Sequence, residues 1–519
     1  MKTSAIMISN LIRTIFCFSM IILVSCSMLT AQSFRVFGVS DVVRVFEDGY
    51  KLPDTKDTII IFGIRGEVIS GQCVINSRKN LSNVTVELSE IKNLDTGNLL
   101  VEKAVNWNFV GSVPLTTNTT NQPPAALTRS APANYPEYLM NENQISITKG
   151  SYQSVWLTVN IPHNAEAGLY AGNVSVKSLE GEQSLPLTLT VYPLTLPEER
   201  NINIVEWYST EGFERYHGIK EKYSEAWFSM LETYAENLVS HRQNTFRVNM
   251  NTIEIAVPKL DALNSWYDSY RKWQQEGNEL WFYKVGIYQG SYLLNKTIDM
   301  PLIDSRIMHW LNYKYDAIGY LHWGWNQWEG NPYTEAGMHF GDAWHVYPVK
   351  EDVLNSLRWE QMRNGIQDYE YFRMLEDRIS TLKDSLGSRF AWMDPLQRSK
   401  EIAGKVIINI EEHSDDPEIL YNAKKEVIKE LLELDTSPEV YVQTNPLVNT
   451  AMPNHSSVEV YGWTEPGTKI VVNGQELSVS REGLFLEQFS LSPESNKIVV
   501  KASNAMGTKE ITKEFVIFD

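Results

Sequence analysis

The sequence has very few cysteines, since Cys17, Cys26 and Cys73 are all that its 519 residues contain. Cys17 falls in a predicted export signal, and the two that remain cannot build a disulfide framework. No group of Cys and His residues has the spacing of metal ligands, so we expect no metal and no cofactor. The folded state must therefore be held together by its hydrophobic cores.

Basic residues are also scarce, because 46 Lys and Arg face 64 Asp and Glu, which gives a formal net charge of −18. A surplus of negative charge repels the phosphates of nucleic acids and of anionic membrane surfaces. We therefore expect neither nucleic acid nor an anionic membrane surface as a partner.

Long apolar runs are rare, and Ile15–Val24 is too short to span a bilayer as a mature helix. Preceded by Lys2 and Arg13, it reads as a secretion signal within residues 1–26. The four residues that end at Cys26, Leu-Val-Ser-Cys, resemble a bacterial lipobox. We expect an exported bacterial protein, periplasmic or anchored to the outer membrane through a lipid on Cys26. Simple cleavage after Ala31 is the alternative.

The length suggests about three domains. Residues 33–197 alternate between apolar and polar residues at period two, as in Val155–Val159, which predicts an N-terminal β-sandwich. Residues 198–435 alternate between strand and helix patterns and end in helices, which predicts a (β/α) barrel-type domain. Residues 438–519 contain the hairpin signal Asn473-Gly474 and no helix pattern, which predicts an immunoglobulin-like β-sandwich.

The predicted barrel is too short. The strand-like runs Thr245–Met250 and Ile253–Val257 are separated by two residues, whereas neighbouring parallel strands need a crossover of about ten or more. The 150 residues from Asn201 to Lys350 also compare poorly with the roughly 250 of a closed eight-stranded barrel. We therefore expect an incomplete (β/α)8-type barrel that lacks its middle.

The segment from Asn278 to His345 predicts a site. Its strand, helix and strand patterns, Glu279–Ile287, Leu302–Tyr315 and Ile318–Trp325, predict a parallel βαβ unit, whose site lies at the carboxyl ends of the strands. Aromatic faces beside hydrogen-bonding groups suit a sugar ring. The predicted substrate-binding residues are Trp281, Tyr283, His322, Trp323, Trp325, Asn326, Trp328 and Asp342, with Trp207 and Asn244 as weaker candidates. The tryptophans and His322 could instead belong to the core, and Asp342 could cap a loop.

Several motifs resemble glycoside hydrolase family 123. They are RGEVISGQ from Arg65, the stretch Ile147–Val176, GNELWFY from Gly277, GYLHWGWNQW from Gly319 and the stretch Leu357–Leu375. The resemblance implies a β-sandwich, a (β/α)8-type barrel and an exo-acting β-N-acetylgalactosaminidase, hence a glycan partner with a terminal N-acetylhexosamine. It also implies a substrate-assisted, retaining mechanism, in which a Glu donates a proton and the preceding Asp orients the sugar's 2-acetamido group.

The catalytic pair of the family is missing, because no Asp is followed by Glu anywhere in the sequence. In the family the pair lies between the strands that resemble Thr245–Met250 and Ile253–Pro258, where the spacing already indicates a gap. We therefore predict no catalytic residue and severely impaired or absent activity. Glu206 and Glu279 could be proposed as replacement acids, but Glu279 begins its predicted strand, at the wrong end of the barrel.

Three hypotheses remain open. The chain is an impaired exo-hexosaminidase in which another acid compensates, a noncatalytic carbohydrate-binding lipoprotein, or a nonfunctional remnant of an internal deletion. For the charged residues Arg358, Glu360, Arg363 and Asp368, we predict an ion-pair network that holds a helix rather than catalysis.

Overall fold

The computed structural model describes residues 32–100, 104–244, 255–286, 292–335, 340–434, 436–448 and 451–518. The proposed lipidation site Cys26, the strand-like run at 245–250 and the residues between the two closely spaced runs lie outside these ranges. The described chain contains many strands and seven α-helices. None of these helices combines the length and the apolar character that a membrane crossing requires.

Two sheets form the N-terminal part. Their strands are β1 (Phe34–Val39), β2 (Ile59–Arg65), β3 (Val68–Ser77), β4 (Leu81–Leu88), β5 (Lys92–Asn93), β6 (Val105–Leu115), β7 (Ala133–Leu139), β8 (Ile145–Ile147), β9 (Tyr152–Asn160), β10 (Gly168–Ser178) and β11 (Gly181–Thr195). One sheet has the order β1-β3-β9-β6-β7, and the other has the order β2-β11-β10-β4-β8, with β5 paired to β10. Alternate residues of β11, from Leu185 to Val191, point into a core that both sheets share. This arrangement is the layering of a β-sandwich.

A parallel sheet organises the middle of the chain. Within the described residues its strands are β12 (Asn203–Glu206), β13 (Ile255–Ala256), β14 (Glu279–Lys284) and β15 (Gly319–His322), in the order β12-β15-β14-β13. A hairpin, β16 (Val346–Val349) and β17 (Asp352–Asn355), follows. The helices are α1 (Thr210–Tyr216), α2 (Glu225–Ser240), α3 (Leu260–Gln275), α4 (Leu302–Lys314), α5 (Leu357–Leu386), α6 (Pro395–Ala403) and α7 (Pro417–Leu434).

The predicted βαβ unit is confirmed, since β14 and β15 are parallel neighbours and α4 lies between them in the chain. The second strand is shorter than predicted, because it ends at His322 instead of Trp325. Serines cap α1, α2 and α5, and the Ser356 hydroxyl accepts from the Trp359 N–H at the start of α5. Residues 352–355 before that cap form β17, so α5 begins only at Leu357.

Helix α5 connects the sandwich to the sheet, and every residue from Leu357 to Phe372 is buried. The Gln367 side-chain amide pairs with both backbone groups of Val68 on β3, as a neighbouring strand would. The predicted charge network on α5 is confirmed. Its ion pairs are Arg358 with Glu137, Glu360 with Arg363 and His241, and Asp368 with Arg306 and Lys424. Lys424 of α7 also contacts Glu67 of the sandwich.

Nine strands lie in the described residues of the C-terminal part, 436–448 and 451–518, where two main sheets, β18-β20-β23 and β22-β21-β24-β25, share a second β-type core. The predicted hairpin is confirmed, because β21 and β22 are antiparallel and both Asn473 and Gly474 have positive φ angles. The strands are β18 (Val440–Asn445), β19 (Met452–Pro453), β20 (Ser457–Thr464), β21 (Lys469–Val472), β22 (Gln475–Leu477), β23 (Leu484–Ser490), β24 (Lys497–Asn504), β25 (Gly507–Glu514) and β26 (Ile517–Phe518).

Candidate functional site

Three ionisable residues meet at the carboxyl edge of the parallel sheet. Glu206, Lys284 and His322 are the last residues of β12, β14 and β15, and His322 is in register with the other two. All three side chains are buried. The carboxyl edge of a parallel sheet is where α/β folds place their sites, so this cluster marks the candidate site.

His322 lies at the centre of the cluster. Its Nδ1 is 3.0 Å from Glu206 Oε2, and its Nε2 is 3.3 Å from Asp342 Oδ1. The imidazole thus bridges two carboxylates that come from distant parts of the chain. It is a fully buried polar residue with partners on both nitrogens.

Asp342 accepts further hydrogen bonds. Its Oδ2 is 2.9 Å from Trp323 Nε1 and 2.9 Å from the Gly286 backbone nitrogen. Burial alone would raise the pKa of this carboxyl, but His322 and Lys284 outweigh burial and hold the pKa well below its usual range. Asp342 is therefore an ionised acceptor and cannot donate a proton.

Glu206 is also ionised. Its Oε1 is 3.2 Å from Lys296 Nζ, and both side chains are fully buried. Burial raises the pKa of Glu206, but the electrostatic and hydrogen-bond interactions with Lys296 and His322 lower it by more. Because a proton donor needs a raised pKa, these contacts argue against Glu206 as a replacement for the missing acid. Glu279, the other candidate, is the first residue of β14 and lies at the opposite edge of the sheet.

The two lysines of the cluster are perturbed by the same environment. Burial lowers the pKa of Lys284 to about 7 and that of Lys296 to about 8, although the nearby Asp342 carboxylate opposes the shift. Lys296 also lies over the ring of Tyr320, with Nζ 4.8 Å from its centroid. Lys284 and Lys296 therefore lose their protons more readily near neutral pH than exposed lysines do.

Three of the predicted substrate-binding tryptophans are buried side chains in the structure. Trp281 lies against Gly319, where an added Cβ would come within 2.0 Å of its ring. Trp325 packs between Tyr234 and Trp359 with ring centroids 5.5 and 5.9 Å away. Trp328 is buried as well, and its Nε1 donates to the Val346 carbonyl at 2.9 Å.

The remaining predicted residues divide into two groups. Asn326 is fully buried, and its side chain accepts from the Ser209 N–H and donates to the Ser209 carbonyl, which fixes the start of α1. Tyr283 and Trp323 are partly exposed near the strand ends. The structure brings Trp323 together with His322 and Asp342, and their role in sugar binding stays a prediction.

Trp207, one of the weaker candidates, is 54% exposed directly after the last residue of β12. Its backbone N–H donates to the His322 carbonyl at 3.0 Å, so it lies beside the central cluster. Asn244, the other weak candidate, instead supports β12, since its side chain bonds to the backbone of Ile204 and of Ile202.

Sequence reasoning missed Lys296 and His345. His345 is fully buried, its ring centroid is 5.1 Å from that of His322, and burial lowers its pKa well below the ordinary value. Glu206, His322 and His345 each offer a ligand atom within 4.8 Å of the others. These residues are distant in sequence, so no local spacing could have shown the group. A second such group, Asp304, His413 and Asp415, is partly exposed.

A separate cavity lies away from these strand ends. It measures about 420 Å³ and lies between the sandwich and the helices, lined among others by Gln72, Arg306 and Tyr421. The strand ends carry the clustered ionisable groups, so chemistry rather than cavity size identifies the candidate site. Residues 245–254, 287–291 and 336–339, which are close in sequence to this edge, lie outside the described ranges.

Two protein-family models match parts of this chain. Residues 47–178 match the Glycoside hydrolase 123 N-terminal domain, and residues 254–375 match the Glycoside hydrolase 123, catalytic domain. A search of curated proteins finds no match.

Among solved structures, a family 123 glycoside hydrolase from Clostridium perfringens, whose description concerns glycolipid glycan hydrolysis, is similar with a TM-score of 0.58. It is 14% identical, and the alignment covers 77% of this chain and 97% of that one. The CooA pilin subunit of enterotoxigenic Escherichia coli aligns over 31% of this chain and 99% of its own, at 13% identity and a TM-score of 0.17, too low for a structural conclusion. Two family domains in the expected order, on a fold shared with a family 123 enzyme, show that this chain belongs to glycoside hydrolase family 123.

Proposed function

We propose that this family 123 protein binds a glycan with a terminal β-linked N-acetylhexosamine, N-acetylgalactosamine by resemblance, and hydrolyses it poorly or not at all. The binding site in this proposal is the carboxyl edge of the parallel sheet. Trp207, Tyr283 and Trp323 supply aromatic faces there, and the buried pair of His322 and Asp342 holds Trp323 through a hydrogen bond from its indole to Asp342.

The exposed indole of Trp207 beside this buried polar cluster is the observation that carries the binding proposal. Sugar rings stack on exposed aromatic faces, and a binding site pairs such faces with a few polar groups. A patch of this kind at the functional edge of the fold supports a glycan partner over a purely structural role.

The impairment is proposed because the sequence has no Asp-Glu pair and because the carboxylates at this edge, Glu206 and Asp342, are both held ionised. General acid catalysis contributes roughly 10²- to 10⁴-fold to a rate. A glycoside with an activated aryl leaving group needs less proton donation than an alkyl glycoside. Residual turnover of aryl β-N-acetylgalactosaminide with none of the alkyl glycoside would therefore support the proposal.

Calorimetric titration of the full chain with N-acetylgalactosamine and its β-glycosides tests binding. We expect Trp207→Ala to abolish binding and Trp266→Ala to leave it unchanged. Trp266 is the matched control because it is 65% exposed but lies on helix α3. Equal binding by both variants, or no binding by the wild type, would overturn the proposed site, and full turnover of the alkyl glycoside would overturn the impairment.

The proposal also covers the fold of the middle and C-terminal domains and the cellular location of the protein. We propose that the four parallel strands are part of a (β/α)8-type barrel that lacks its middle, which the parallel βαβ unit supports. The two-sheet C-terminal part supports an immunoglobulin-like fold. Export as a bacterial lipoprotein rests on the sequence around Cys26. The mass of the membrane-fraction protein tests it, because a chain that begins at Gln32 carries no lipid.

A further inference from the structure

Glu206, His322 and His345 form a cluster whose geometry suits a metal ion. They come from the end of β12, the end of β15 and the residue before β16. Glu206 Oε2 is 3.0 Å from His322 Nδ1 and 4.0 Å from His345 Nδ1. One atom of each of the three residues lies within 4.8 Å of the other two. Ligands around a small ion at about 2 Å from each are separated by distances of this order.

Within the described part of the chain, the side chain of His345 has no hydrogen-bond partner. Neither ring nitrogen makes a hydrogen bond to a described residue, although His345 is fully buried. The backbone of Gly324 lies near the ring without meeting hydrogen-bond geometry. A buried polar group without a partner destabilises the folded state, so such a group calls for a missing partner. An ion between His345 and the Glu206–His322 pair would supply that partner.

The surrounding contacts leave the required atoms in place. Asp342 Oδ1 lies 3.3 Å from His322 Nε2, so Nε2 can carry the proton and Nδ1 can offer its lone pair. Carboxylates orient metal-binding histidines in this way. Lys296 contacts Oε1 of Glu206, which leaves Oε2 on the side of the two imidazoles.

We propose that Glu206 Oε2, His322 Nδ1 and His345 bind one divalent transition-metal ion of the zinc type. Two imidazoles and one carboxylate are a ligand set that suits Zn²⁺, Co²⁺ or Ni²⁺ better than Ca²⁺ or Mg²⁺, which prefer oxygen. Three protein ligands leave at least one coordination position open. This inference does not depend on the proposed glycan specificity.

Cobalt titration of the full-length protein, before and after unfolding and refolding with the metal, tests the site. We expect one equivalent of Co²⁺ by elemental analysis and a visible ligand-field absorption of imidazole-bound cobalt. His345→Leu should lose both signals. Without metal it should be as stable as the wild type or more stable, because it removes an unpartnered polar group from the core.

Two further variants separate a metal site from a simple ion pair. Lys296→Met removes the cation that competes with a metal ion for Glu206, so Co²⁺ should bind at least about ten-fold more tightly. Bound Co²⁺ should also restore any stability that the substitution costs. His413→Leu, in the partly exposed group with Asp304 and Asp415, should bind Co²⁺ like the wild type. Equal cobalt binding by wild type and His345→Leu, no binding after refolding, or weaker binding by Lys296→Met would overturn the proposal, and none of these results bears on the glycan titration.

Discussion

Arg358 is the side chain on which we expect the middle of the molecule to depend most. Its guanidinium donates to Glu137 Oε1 at 2.7 Å, to the carbonyls of Lys296 and Gly341 at 2.7 Å each, and to the Trp344 carbonyl at 2.9 Å. It is 1% exposed. The guanidinium of Arg358 therefore fixes strand β7 of the sandwich, the backbone of Lys296, and the backbone of the residues that directly precede Asp342 and His345.

Replacing Arg358 by Leu should destabilise the folded state by about 3–5 kcal/mol, the usual cost of breaking a buried ion pair from one side. Glu137 retains its ion pair with Arg44 at 3.2 Å, which limits the loss of stability, but three backbone carbonyls lose their hydrogen-bond donor. Glu137→Gln should cost at least as much, because it leaves two neighbouring guanidiniums without an anion. Arg358→Lys should recover only part, since one ammonium cannot reach four acceptors.

Urea unfolding followed by tryptophan fluorescence measures this effect, because the buried Trp344 and Trp359 report on the same region. The control is Arg389→Leu, which removes an ion pair to Glu482 whose side chains are 77% and 50% exposed, with N and O atoms 3.7 Å apart. We expect a change within about 0.5 kcal/mol for this surface pair. A loss below about 1 kcal/mol for Arg358→Leu, or a milder effect of Glu137→Gln, would refute the reasoning.

Two further predictions concern helix packing and pH. An Ala at position 365 would place its Cβ 2.1 Å from the Arg306 carbonyl oxygen, so Gly365→Ala should push α4 from α5 and lower stability by about 1–3 kcal/mol in the same urea assay, despite a better helix propensity. Unchanged stability would show that the two helices can separate freely. Burial alone would lower the pKa of His413, but Asp304 and Asp415 raise it to about 10 from an ordinary 6.5. Charged His413 therefore stabilises the fold below pH 6.5, and this contribution is lost as the pH rises toward 10. The stability difference between wild type and His413→Gln should shrink over that range, and a constant difference would contradict the assignment.

Local patterns predicted the elements well. The alternation of β14, α4 and β15 and the Asn473-Gly474 turn are properties of short segments, so the sequence alone sufficed to predict them. The position of the site at the strand ends followed from the parallel topology. His322 and Asp342 were predicted separately, and the structure places them 3.3 Å apart.

The burial of Trp281, Trp325 and Trp328 could not be predicted in the same way. Strand β15 ends at His322, so the tryptophans that follow it do not alternate between the two faces of a strand. Trp325 is enclosed by Tyr234 and Trp359, which come from helices α2 and α5. Long-range contacts of this kind have no local signature. The same is true of Arg358 and Glu137, which are 221 residues apart.

The attachment of α5 and α7 to the sandwich has a consequence for how the protein can be divided. Lys424 on α7 forms ion pairs with Glu67, which directly precedes β3, and with Asp368 on α5. Gln367 on α5 hydrogen-bonds to the backbone of Val68 at the start of β3. An N-terminal fragment cut after residue 197 would leave Glu67 and the backbone of Val68 without these partners. We therefore expect the sandwich to be less stable alone than in a fragment that extends through α7.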